Sequence, residues 1–178
     1  MNELQNLKHG EISTTWIEQL ALEELNMDES GVVHIDDHLN PHHLLEESSI
    51  RFMDNLREKV EIFTTKFNEY RGNQPGAQIK TFKISNTVND FMLFRNSLRL
   101  IFARKSNDTI SIGFLANGKD LFSARLHQNE SYGGPAPHEI NAHLGAFHKI
   151  TWRFQNEEVD LDALVKHYLC EFIRNSAR

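Results

Sequence analysis

With 178 residues, 39% of them hydrophobic and 10% aromatic, and only nine glycines and four prolines, the chain has the composition of one folded domain with a full core, which excludes a disordered or low-complexity protein. Its single cysteine, Cys170, excludes an intrachain disulfide and a cysteine-based zinc site. The net charge of −6 hides a steep asymmetry: residues 1–70 hold 5 basic and 15 acidic side chains (net −10), residues 71–156 hold 11 and 5 (+6), and residues 157–178 hold 3 and 5 (−2).

In chain order, the first residues lack the apolar stretch of a secretory signal, and no run reaches the roughly 18 apolar residues of a membrane span. A cytoplasmic protein with no membrane partner is therefore expected. Residues 12–25 read as a short amphipathic helix, with Ile12, Trp16, Ile17, Leu20 and Ala21 on one face and Glu11, Glu18, Glu23 and Glu24 around it. A helix this short needs a docking surface, and a homodimer through the Trp16 stripe is one expectation. Asp28 to Gly31 breaks the pattern, Val32 to Ile35 suggests an edge strand, and Asn40-Pro41 opens the next helix. That helix spans Pro41 to Tyr70. Ser49, Met53, Leu56, Val60, Phe63, Phe67 and Tyr70 form its buried stripe, with Glu47, Asp54, Glu58, Glu61 and Glu69 outside. Gly72 and Pro75 end it.

Strands follow: Ile79–Ser85, then Phe91–Arg104 as one long strand bending near Asn96-Ser97, then Asp108–Leu115 and Lys119–His127. Residues 128–145, containing Gly133-Gly134-Pro135, read as a loop. Ala146–Phe154 is the last strand and Glu157–Asn175 the closing helix, striped by Leu161, Leu164, Val165, Tyr168, Leu169 and Phe172. The expected fold class is α+β: a five-stranded, mostly antiparallel sheet with two long helices packed on one face and a peripheral N-terminal helix. Residues 1–40 form an acidic N-terminal helical segment, and 41–178 a single α+β domain.

Side-chain parity sets the expected register. A three-residue loop pairs Phe102 with Ile110 and Leu100 with Ile112, keeping apolar residues on one face. The same rule overrides the two-residue turn that Asn117-Gly118 would ordinarily specify. It pairs Ile112 with Phe122 through a type I turn and a bulge at Gly118. One face then carries the apolar residues. The other carries Lys83, Arg95, Ser97, Arg99, Thr109, Ser111, Ser123, Arg125, His127, Lys149, Thr151 and Arg153, with no acidic side chain. Arginine forks interspersed with hydroxyl donors suit carboxylate or phosphate. The competing readings are an ordinary solvated face and a face covered by the acidic N-terminal segment.

The histidines form two groups. His34, Asp36, Asp37, His38, His42 and His43 have metal-ligand chemistry, but Pro41 interrupts the helix that would align them. His138-Glu139 and His143 resemble a metalloprotease helix with the wrong spacing, i to i+5 in place of i to i+4. A site built from His127, His138 and His143 at one sheet end is a further alternative. No G-x-S-x-G, Walker or dinucleotide-binding glycine pattern occurs, so no cofactor is expected and no residue is assigned a catalytic or metal-binding role.

These features point to a non-enzymatic cytoplasmic binding or adaptor protein. Its partner is an acidic protein segment or a phosphorylated ligand, engaged through Arg95, Arg99, Arg125, His127, Lys149 and Arg153. A metal-dependent hydrolase using the histidine-rich segments is the alternative. Nucleic-acid binding ranks third, because the chain is net negative and the cationic face lacks stacking aromatics.

Overall fold

A computed structural model describes residues 12–32, 40–72, 74–116 and 137–177. The chain divides into two compact units, residues 1–40 and 41–178. In the first, α1 runs over Thr15–Ser30 and ends at Gly31, whose left-handed backbone (φ 68°) lets its N–H reach the Met27 carbonyl at 2.8 Å. The helix continues through Asp28-Glu29-Ser30, where the sequence suggested a break, because the αL glycine is the effective stop. None of its residues is buried. Most of the suggested strand at 32–35 lies outside the described residues.

The second unit opens with α2, Pro41–Arg71, 31 residues and roughly 46 Å long at 1.5 Å per residue. Its buried row is Ser49, Met53, Leu56, Val60 and Thr64. The first four were expected. Phe63 and Tyr70, also expected in the stripe, are 52% and 86% exposed. The row turns towards Thr64 because the Asn68 side chain, one turn further on, bonds both the N–H and the C=O of Ile79 (2.8 and 2.9 Å) and ties the first strand to that side of the helix. Ser49 is tolerated in the row because its hydroxyl donates to the Glu46 carbonyl at 2.7 Å and accepts from Arg104 at 3.2 Å.

Among the described residues the sheet has seven strands, which corrects the expected five: β1 Lys80–Lys83, β2 Phe91–Arg95, β3 Leu98–Ser106, β4 Thr109–Ala116, β5 His138–Leu144, β6 Ile150–Phe154 and β7 Glu157–Glu158. Each pairs antiparallel with the next in sequence, a meander. Two left-handed turns and one segment read as loop account for the miscount. Asn96 and Ser97 adopt φ of 47° and 71°, the left-handed pair of a two-residue hairpin turn, so the supposed long strand 91–104 is two strands with Arg95 opposite Leu98. Gln155 and Asn156 (φ 50° and 68°) make a second such turn and create β7 where a helix was expected to begin. Residues 138–144, read as loop, form β5. The expected strand 119–127 lies outside the described residues.

The β3–β4 register also differs from expectation. Phe102 faces Ile112 and Leu100 faces Phe114, two residues from the anticipated pairing, with an irregularity at Lys105. A shift of two preserves facing, so the apolar set stays on one side. The closing helix α3, Leu161–Ser176, has 16 residues, half the length of α2. Its N-cap is Asp160, whose carboxylate accepts from the Ala163 N–H at 2.8 Å. Both helices cover one face of the sheet. Met53, Leu56 and Val60 of α2 and Leu164, Val165, Tyr168, Leu169 and Phe172 of α3 meet Phe91, Leu93, Leu100, Phe102, Ile110, Ile112, Ile140 and Trp152 in one core. No helix of the described residues is long and apolar enough to cross a membrane.

Candidate functional site

Directly opposed residues of an antiparallel pair share a face. The hairpin at Asn96-Ser97 therefore puts Arg95 with Leu98 on the helix-covered side, and Phe94 with Arg99 on the outer side. Arg95 is 5% exposed, which removes it from the cationic surface expected of it. Arg99 stays on that surface, with its guanidinium carbon 5.9 Å from the Phe94 ring centroid. Arg153 is also on the outer face, where its Nε donates to Thr151 Oγ1 at 3.2 Å. It lies three strands from Arg99 and is level with Thr109 of β4, whereas Arg99 is level with Leu115, so at ordinary strand spacing and rise the two are more than about 20 Å apart. Lys149 is exposed just before β6, and its carbonyl accepts from the Gly145 N–H at 2.8 Å. Arg125 and His127 lie outside the described residues.

The outer face is also less uniform than the sequence suggested. Over β5 to β7 it contains acidic side chains: Glu139 accepts from Lys105 Nζ at 2.6 Å, and Glu158 faces Arg153 across the β6–β7 pair. Over β1 to β4 it is apolar with a cationic border. Phe82, Met92 and Ile101 form one cross-strand row, and Lys80, Phe94, Arg99 and Leu115 the next. Ile101 and Leu115 are buried within this patch and stand apart from the main core, whereas Phe82 is 43% exposed. Parity misassigned Phe82 and Phe94 to the core because it was carried through the Asn96-Ser97 turn as though the strand were continuous.

The histidines separate. His138 and His143 lie five apart on β5 and so occupy opposite faces. His34 and His38 fall outside the described residues. His43 Nε2 lies 3.3 Å from Glu47 on the first turns of α2. Among the described residues no group of three or more His, Cys, Asp or Glu side chains converges as a metal site.

His138 takes part in an arrangement the sequence did not suggest. Its Nδ1 is 2.5 Å from the Tyr168 hydroxyl, and Phe154, Val159, Leu164 and His167 help enclose an open cavity of about 330 Å³ beside the pair. Burial pushes the Tyr168 phenol up to about 12. The phenol therefore stays protonated at neutral pH and keeps a hydrogen to donate in this contact. The available signal was the alternation of His138, Ile140, Ala142 and Leu144 with Glu139, Asn141 and His143, a strand pattern overshadowed by the preceding Gly/Pro segment.

A pH dependence follows. Because the folded pKa lies above the ordinary value of 10.0, the stabilisation from the neutral phenol is complete below pH 10 and is lost as pH rises towards about 12. Of the three tyrosines, one should ionise near that pH in a spectrophotometric titration, and Tyr168→Phe should abolish that step. Comparison with protein-family models, curated proteins and solved structures finds no match to this chain.

Proposed function

We propose that this is a non-enzymatic cytoplasmic binding protein that engages an acidic protein segment with apolar anchors across the outer face of β1 to β4. The observation that carries this reading is the patch of Phe82, Met92 and Phe94 bordered by Lys80 and Arg99, neither of which pairs with a carboxylate among the described residues. A solvated sheet face would ordinarily present polar side chains at these positions. An extended segment suits the geometry better than a compact phosphate group does, because Arg99 and Arg153 are too far apart to grip one phosphate and Arg95 is on the other side. Apolar side chains of the partner would contact Phe82 and Phe94, while its carboxylates would meet Lys80 and Arg99.

The test is site-specific photocrosslinking in the source cells from position 82, with position 62 on α2 (Ile62, 59% exposed) as the control. The expected result is a discrete adduct with an acidic protein from position 82, lost when Lys80→Glu and Arg99→Glu are combined. Both substituted side chains are at the surface, so stability should change by less than about 1 kcal/mol. No adduct, the same adduct from position 62, or an adduct insensitive to charge reversal would overturn the reading.

A further inference from the structure

We propose that the cavity between the C-terminal ends of α2 and α3 is a binding site for a small organic carboxylate, held by the guanidinium groups of Arg71 and Arg95. The cavity measures about 490 Å³ and is lined by Phe67, Arg71, Arg95, Ile173 and Ala177. It lies on the helix-covered side of the sheet and is independent of the outer-face surface.

Arg95 is the centre of the site. A charge removed from water is ordinarily matched by an opposite charge. Arg95 is 5% exposed, yet neither it nor Arg71 has a carboxylate partner among the described residues. Its Nη1 donates to the Ile173 carbonyl at 3.3 Å and to Ser176 Oγ at 3.4 Å, both long contacts. Its Nε is buried with no acceptor among the described residues. The guanidinium carbon also sits 5.1 Å from the Phe67 centroid. Burial, and then the like charge of Arg71, lower the Arg95 pKa, so the surroundings oppose the charge they hold.

Helix ends offset part of this charge. Each C-terminus supplies about half a negative charge, so two guanidiniums beside two such ends leave about one positive charge. A monoanion balances that remainder. A carboxylate presents two coplanar acceptors to an arginine fork and could take the unused Nε–H. Phe67, Ile173 and Ala177 give the wall an apolar character suited to a short hydrocarbon body.

The experiment follows the Arg95 Nε–H resonance of the ¹⁵N-labelled full chain during titration with phenylacetate. A saturable shift with a dissociation constant of about 1 mM or tighter is expected, as is a loss of about tenfold or more in affinity with Arg71→Ala. Arg71 is exposed at a helix end, so the amide spectrum should otherwise be retained. Chloride at equal ionic strength and phenethylamine should leave the resonance in place. No saturable shift by roughly 20 mM, or an affinity unchanged in Arg71→Ala, would overturn the site and leave Arg95 as a helix-capping residue only. Tighter binding of phenyl phosphate than of phenylacetate would overturn the assigned ligand class.

Discussion

Arg95→Glu should unfold the domain or lower its stability by about 4 kcal/mol or more, while Arg95→Met changes it by less than about 1 kcal/mol. The asymmetry follows from the surroundings of the side chain. Arg95 donates to the Ile173 carbonyl in the last turn of α3, where the helix end carries partial negative charge. A glutamate there would be buried against that end with no donor to replace the guanidinium. Methionine removes the charge, occupies much of the same space and can pack on Phe67, and what it forfeits is two long hydrogen bonds. Urea denaturation of the two variants beside the parent chain checks this. A loss of about 3 kcal/mol or more in Arg95→Met would show that the guanidinium is held for stability and would weaken the case for a ligand at the site. The corresponding changes at Arg99, whose ring contact is on the outer face, should stay within about 0.5 kcal/mol.

Phe102→Ala should cost about 4 kcal/mol. Phe102 is 1% exposed at the centre of the sheet, stacks on Phe91 with centroids 4.6 Å apart, and meets the edge of Tyr168 from α3 at 6.4 Å. Neighbours on two strands and a helix cannot all close around an alanine, so the site retains a cavity. Phe94→Ala, four residues from the start of the same hairpin's second strand but on the outer face, should cost under about 1.5 kcal/mol, since Phe94 is only partly buried. Calorimetric or denaturant midpoints for the pair would check the face assignment directly. Equal losses would mean that the outer patch is as tightly packed as the core and is no open surface.

The contrast between Phe102 and Phe94 also marks how far one-dimensional pattern carries. The α2 row through Val60, the α3 stripe, and the apolar alternation of β3 and β4 were legible because burial there repeats at the helical or strand period over several residues. The β3–β4 pairing was misjudged by two residues without consequence for facing, because strand parity has a period of two. The candidate surfaces were less legible. Arg99 was assigned to the outer face correctly in placement, but Arg95, Phe82 and Phe94 were assigned to the wrong sides by the same parity count. The error enters at two residues, Asn96 and Ser97, whose left-handed backbone converts a straight run into a hairpin. Neither is glycine, and nothing in their side chains alone demands that conformation.

Alone, then, the sequence determined the α+β class, the main helical stripes and the concentration of positive charge in residues 71–156, since each depends on composition or on periodicity along the chain. Tertiary structure decided which arginine is exposed and which is enclosed, that Tyr168 meets His138, and that Arg71 and Arg95 share a cavity. These pairings join residues 24 to 30 positions apart through turns and helix packing. Their geometry depends on where the backbone reverses, and a local hydrophobic pattern does not encode that.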